Sequence, residues 1–279
     1  MKFTKMHGLG NDYIYVNCFE ETVEDPSALS IRLSNRHFGV GSDGLILISP
    51  DENADCRMTL YNADGSRAKM CGNGIRCVGK YVYDHGIVGR KELKVQTDSG
   101  IKTLYLTTEN GKVKSVRVDM GSPDFTAEHI PVIADTPEVI SADWEVAWQH
   151  WNVTCVSTGN PHCVVRVSDV DDLNLEKIGP LFERDPRFPD RVNTEFVQIC
   201  APDRLRMRVW ERGSGETMAC GTGSCASAAA MIRCGLMQDR VTVQLRGGDL
   251  DIYWDREKDI LWMEGPAETV FEGEILDGI

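Results

Sequence analysis

The 279-residue chain lacks positive charge: 30 Lys and Arg stand against 43 Asp and Glu, a net of −13. Without a basic footprint, nucleic acid and anionic membrane surfaces are poor partners. Long apolar runs are missing too, since no stretch approaches the roughly 18 residues of a membrane span, and the segment Met1 to Gly8 has no apolar region of the export type. A cytoplasmic protein is expected. Metal-ligand spacing is also lacking. Cys71 and Cys77, or Cys220 and Cys225, miss the two-to-four-residue gap of a zinc knuckle, and no paired histidines follow. There is no Walker loop and no pyridoxal-phosphate lysine signature, and the glycines Gly39 and Gly41 lack dinucleotide-site spacing. The chain is therefore expected to use neither cofactor nor metal. Cysteine, by contrast, is plentiful. Ten in a chain without an export signal read as reduced thiols rather than a disulfide framework.

The length exceeds one typical core and suits two domains of about 120–150 residues. An internal echo supports this. Met70-Cys71-Gly72-Asn73-Gly74 and Ala219-Cys220-Gly221-Thr222-Gly223 each put a cysteine before a Gly-x-Gly turn that opens a small-residue segment, and 220 − 71 is 149. At the same offset Gly10-Asn11 falls on Gly159-Asn160. A third echo, from Arg36 to Ile48 on Arg187 to Ile199, is laid with two residues inserted and sets Ser42 opposite Asn193. Three ordered matches indicate a duplicated domain with one cysteine in equivalent positions of each copy. Ligand sites favour domain interfaces, so the two cysteines are expected to face one cleft.

Short β-rich segments bounded by Gly, Asp or Asn predict strands in both halves, among them residues 13–16, 45–48, 56–61, 93–97, 102–107, 113–120, 163–167, 196–199, 205–209, 241–245 and 250–254. Residues 141–151 carry Trp144, Trp148 and Trp151 at helical spacing, but alternation on either side of Gln149-His150 favours a hairpin. Helices are predicted at 28–35, 173–182, 74–84 and 223–233, the last two closed by Gly86 and Gly235. The fold class that follows is α+β: two pseudo-symmetric domains from an internal duplication, each a mixed β-barrel wrapped around a central α-helix.

Cysteine works as a carbon acid-base catalyst when its thiol titrates near working pH, and a helix N-terminus lowers the free value of about 8.5. Cys71 and Cys220 both sit where that field acts. Flanking glycines let backbone N–H groups approach a carboxylate and stabilise the charge left when an α-proton departs. One thiolate and one thiol on opposite sides of a carbon perform an inversion, which points to racemase or epimerase chemistry. A cysteine alone is usually a small buried hydrophobe, and that reading stands for Cys18, Cys56, Cys77, Cys155, Cys163, Cys200, Cys225 and Cys234.

Taken together, His7 to Asp12, Asn62 to Ser66, Cys71 to Cys77, Gly159 to Cys163, Glu211 to Gly213 and Ala219 to Gly223 closely resemble the diaminopimelate epimerases along essentially the whole chain. The resemblance implies cofactor-independent interconversion of LL- and meso-2,6-diaminopimelate in lysine and peptidoglycan precursor synthesis, two mirrored domains and a homodimer. The domains would span 1–119 with 267–279, and 120–266. It implies Cys71 and Cys220 as proton donor and acceptor, with His162 and Glu211 assisting catalysis. Gly72, Asn73, Gly221 and Thr222 would offer N–H groups to the carboxylate. Asn11, Asn62, Asn160, Asn193, Glu211 and Arg212 would hold the rest of the substrate, Arg212 as a fork on the distal carboxylate. Three positions depart from other members. Gly44 stands where some carry a substrate-reaching glutamine, Thr222 where others carry serine, and Phe271, in the dimer-contact tail, where some carry tyrosine. The rival readings are a proline or hydroxyproline racemase and a non-catalytic thiol or metal-binding protein.

Overall fold

The computed structural model describes residues 1–276. The chain divides into two compact units, Met1–Val118 with the segment from Glu264 onward, and Asp119–Met263. In chain order the first holds β1 (Lys2–Gly8), β2 (Asn11–Asn17), α1 (Pro26–Ser34), β3 (Gly44–Ser49), β4 (Cys56–Asn62), β5 (Arg67–Ala68), α2 (Gly72–Asp84), β6 (Glu92–Thr97), β7 (Gly100–Glu109) and β8 (Lys112–Gly121). The second holds β9 (Ala142–Val146), β10 (Gln149–Ser157), β11 (Pro161–Arg166), α3 (Leu175–Glu183), β12 (Asn193–Ala201), β13 (Arg204–Glu211), β14 (Gly215–Glu216), α4 (Gly221–Arg233), β15 (Arg240–Leu245), β16 (Gly248–Asp255) and β17 (Ile260–Gly265). The chain ends on β18 (Glu268–Glu274), which pairs with β1.

From β1 and β10 onward the two units repeat one order of elements. Helices α1 and α3 start at 26 and 175, strands β3 and β12 at 44 and 193, helices α2 and α4 at 72 and 221, so the offset is 149 throughout. The inserted residues expected in the third echo are absent. Strand β2 sets Tyr13 beside Gly44, and β11 sets His162 beside Asn193 in the same parallel register. Gly44, not Ser42, is therefore the counterpart of Asn193.

Each sheet is mixed. Strands β2 and β3 run parallel, β3 and β4 antiparallel, β4 and β6 parallel, and β11, β12, β13 and β15 repeat this. Helix α2 touches β1 and β2 as well as β6 and β7, from distant parts of the strand order, so the sheet curls around it; α4 is held likewise by β10, β11, β15 and β16. A second helix covers the outer face. Ile14, Val16, Leu45 and Leu47 pack with Leu29 and Leu33 of α1, while Cys163, Val165 and Phe196 pack with Leu175 and Phe182 of α3. Strands covered on both faces bury successive residues, and this is why Tyr13, Ile14, Tyr15 and Val16 are all buried.

The central helices are buried nearly all round. Small residues make this possible: a Cβ on Gly79 would lie 2.8 Å from Leu104 Cδ2. The predicted hairpin at 141–151 is present, with β9 paired to β10. Gly86 and Gly235 take the left-handed conformation just past α2 and α4. The alternation reading overlooked β1, β17 and β18, and the two-residue strands β5 and β14. Strand β18 is exposed or half-exposed throughout, so it has no buried face to show an apolar period. Five of the eight background cysteines are buried, but Cys200 is exposed and Cys18 and Cys234 are half-buried. No helix among the described residues is long and apolar enough to cross a membrane.

Candidate active site

Each candidate cysteine is the N-cap of its helix, two residues closer to the helix start than the predicted helix limits placed it. Cys71 (φ −138°, ψ 117°) and Cys220 (φ −124°, ψ 114°) share one extended geometry, and each sulfur accepts the N–H of the third helical residue, Gly74 at 3.3 Å and Gly223 at 3.4 Å. Ser, Thr, Asp or Asn normally fills this post. Sulfur there trades cap strength for a thiol aimed along the positive end of the helix dipole. The next two residues, Gly72 and Asn73 in α2 and Gly221 and Thr222 in α4, carry first-turn N–H groups that a helix cannot satisfy internally, as an anion site requires.

In the first unit the β1–β2 hairpin turns on Leu9 and Gly10, both at positive φ, and so presents Asn11. Asn11 Oδ1 accepts from Cys71 Sγ and from Asn73 Nδ2, each at 3.3 Å. Behind it stands a charged group. Asp43 Oδ2 takes Asn11 Nδ2, Arg36 bridges Asp12 and Asp43, and Lys5 reaches Asp12 and the Gly41 carbonyl. Burial pushes the Asp12 carboxyl up, but Arg36 and Lys5 outweigh it and hold the group below its usual range. Burial pushes the Tyr13 phenol well above its ordinary value, and the Cys71 sulfur adds to the rise. Asn62, at the end of β4, donates its side chain to Ser66 Oγ at 3.0 Å.

In the second unit Gly159 (φ 97°) shapes the turn that carries Asn160. His162 is fully buried between two partners, with Nδ1 2.7 Å from Glu195 Oε1 and Nε2 2.9 Å from Asn160 Oδ1. Asn193 is clamped as well: its Nδ2 donates to the Pro161 carbonyl at 3.0 Å, and its Oδ1 accepts the Arg212 N–H at 2.9 Å. Arg212 is exposed, and one guanidinium nitrogen donates to the Asp190 carbonyl at 2.9 Å. Glu211 ends β13 where Asn62 ends β4; its Oε1 accepts from Thr217 Oγ1 at 2.5 Å, and burial raises its carboxyl above the ordinary value.

Cys220 departs from the expected lowered thiol. Burial, then the Glu211 and Glu195 carboxylates, push it well above the ordinary value, and the Thr222 hydroxyl and Gly223 N–H do not compensate. The helix field is outweighed. Tyr13 and Glu195 were missed in the sequence. The signal was available: Tyr13 is the counterpart of His162 at the offset of 149, and Glu195 is the one acid of β12, just before Phe196-Val197. Among the described residues no cluster of three or more His, Cys, Asp or Glu side chains is arranged to hold a metal ion.

A sequence profile of the family described as diaminopimelate epimerase matches residues 3–126 and 154–270. The diaminopimelate epimerase of Acetivibrio thermocellus is 54% identical over 275 residues, covering 99% of this chain and 98% of its own. That of Agathobacter rectalis is 55% identical over 282 residues, covering 99% of each. The chain belongs to the diaminopimelate epimerase family. Membership makes it an enzyme of the isomerase class. The fold extends beyond the family. A Bacillus anthracis phenazine biosynthesis protein of the PhzF family aligns with a TM-score of 0.71 at 18% identity over 99% of both chains. A probable proline racemase from Agrobacterium radiobacter aligns at 0.68 and 16%, over 99% of this chain and 93% of that one. At such identities the likeness is one of architecture.

Proposed function

We propose that this member of the diaminopimelate epimerase family interconverts LL- and meso-2,6-diaminopimelate by two-base proton transfer at the α-carbon, serving lysine and peptidoglycan precursor synthesis in the cytoplasm. The observation that carries the reading is the matched pair of N-capping cysteines, each followed by two residues whose N–H groups suit a carboxylate. In the LL-to-meso or the reverse direction, one sulfur as thiolate removes the α-proton while the other as thiol returns a proton to the opposite face. The intermediate carbanion spreads its charge into the carboxylate, where the N–H groups of Gly72, Asn73, Gly221 and Thr222 stabilise it. No metal or cofactor enters this chemistry.

Asn11, Asn62, Asn160, Asn193 and Arg212 hold the remainder of diaminopimelate, the exposed guanidinium of Arg212 answering the distal carboxylate. Glu211 contributes to the site and acts with His162 in tuning the thiols. The protein acts as a homodimer, a role for which exposed Val270 and Phe271 on β18 are suited. The deciding experiment incubates the protein with LL-diaminopimelate in deuterium oxide. Deuterium at the α-carbon with formation of the meso isomer is expected, and proline should be inert. Turnover of proline but not diaminopimelate would reassign the enzyme.

A further inference from the structure

Glu195 lies fully buried on β12, on the side of the sheet that faces α4. Its Oε1 takes His162 at 2.7 Å, while its Oε2 has no hydrogen-bond partner among the described residues. Such a carboxyl is costly to bury. The first unit shows what the fold itself asks for at this spot. At the offset of 149 the counterpart of Glu195 is Ile46, and the counterpart of His162 is Tyr13. The two side chains fill the same space beneath their helices: a Cβ on Gly74 would lie 2.7 Å from Ile46 Cδ1, and a Cβ on Gly223 would lie 2.6 Å from Glu195 Oε1. Packing alone is thus met by isoleucine. The acid in the second unit answers to something other than packing.

We propose that Glu195 is a positioning residue that, through His162, fixes the side-chain amide of Asn160. This rests on the epimerase reading, in which Asn160 touches substrate. The Glu195 carboxylate accepts at Nδ1 and Asn160 Oδ1 accepts at Nε2, so the ring turns an N–H to each partner, and the one at Nε2 points at Asn160 Oδ1. A neutral asparagine oxygen can only accept, so Asn160 is locked with Oδ1 toward the ring and its NH2 turned away from it. Glu195 therefore sets which end of Asn160 the substrate meets. His162, engaged at both nitrogens, acts as the link.

The test compares Glu195→Ile, the residue of the first unit, with Glu195→Gln, whose amide still reaches Nδ1. Histidine-15N NMR, assigned with His162→Gln, should show His162 protonated at Nε2 in the parent and in Glu195→Gln. In Glu195→Ile it should show the mixed pattern of an unclamped imidazole. Loss of a hydrogen bond to a charged group typically costs about 10–100-fold, and that drop in kcat/KM, mostly through KM, is expected for Glu195→Ile. Glu195→Gln should stay within about threefold of the parent. In an Asn160→Ala background Glu195→Ile should add no further loss. An unchanged His162 spectrum in Glu195→Ile, unchanged kcat/KM, or multiplying losses in the double variant would each overturn the proposal. If Glu195→Ile does not fold, Glu195→Ala carries the same comparison. A parent that fails to exchange the diaminopimelate α-proton would sink the epimerase reading alone, because the NMR arm needs no substrate.

Discussion

Asp43 Oδ2 accepts both the Asn11 side-chain Nδ2, at 2.8 Å, and the Asp12 N–H, at 3.0 Å, and so turns Asn11 Oδ1 toward Cys71. Without that carboxylate the amide loses a charge-assisted hydrogen bond, worth about 1.5–3 kcal/mol, and can rotate to present NH2 to the sulfur. Asp43→Ala should therefore lower kcat/KM about tenfold, the effect of losing roughly 1.4 kcal/mol of orientation. Asp43→Asn keeps one acceptor oxygen and should recover most of it. Steady-state kinetics on diaminopimelate decides the matter, and an Asp43→Ala enzyme within twofold of the parent would remove Asp43 from the account.

Cysteine-to-serine exchange separates chemistry from folding at both sites. Serine is a stronger N-cap than cysteine, so Cys71→Ser and Cys220→Ser should melt at or above the parent temperature. Each should nevertheless lose on the order of 10²–10⁴ in epimerisation, the usual worth of a positioned proton-transfer group. Alanine should add a stability cost of about 0.5–2 kcal/mol for the missing cap. Either serine variant turning over near the parent rate would end the two-base scheme.

Gly44 is fixed by the sheet. A Cβ here would fall well inside contact distance of the Tyr61 carbonyl oxygen, with Tyr13 and Asn62 closing the other sides. Gly44→Gln, which restores the side chain some family members carry, should therefore fail to improve activity. It should destabilise by about 1–3 kcal/mol as an overpacked site does, visible as a lower urea midpoint. A Gly44→Gln protein of parent stability would show that β3 and β4 can separate there.

Much of this was legible in the chain because the repeat is nearly unbroken: Cys71, Cys220, Asn11 and Asn160 declare one offset, and glycines at 86 and 235 close both central helices. Errors arose where pattern carries no physical information. Strand β18 has no buried face, so alternation could not find it. The true register of Gly44 on Asn193 was hidden because the two residues share no chemistry, and pairing of each with its neighbouring strand was needed to reveal it. The rise at Cys220 was hidden for a different reason. The helix field can be read from local sequence, but the burial and the carboxylates of Glu195 and Glu211 that oppose it come from other strands.

Buried thiols should make the protein sensitive to alkali. Burial pushes Cys77 up to about 11 and Cys56 up to about 12, the latter aided by Asp55 and Asp51. In the unfolded chain these thiols ionise near the ordinary thiol value of 9.0. Above that value the unfolded state sheds protons that the native state keeps, so stability falls with rising pH. The contribution of each thiol is fully present below pH 9 and is lost as pH climbs through 11 for Cys77 and 12 for Cys56. Between pH 9 and 11 the slope is at most about 1.4 kcal/mol per pH unit for each thiol. Urea midpoints measured from pH 8 to 11 should decline accordingly, and the decline should be shallower in Cys77→Val. An equally steep decline in that variant would mean that Cys77 ionises as readily in the folded protein as in the unfolded one.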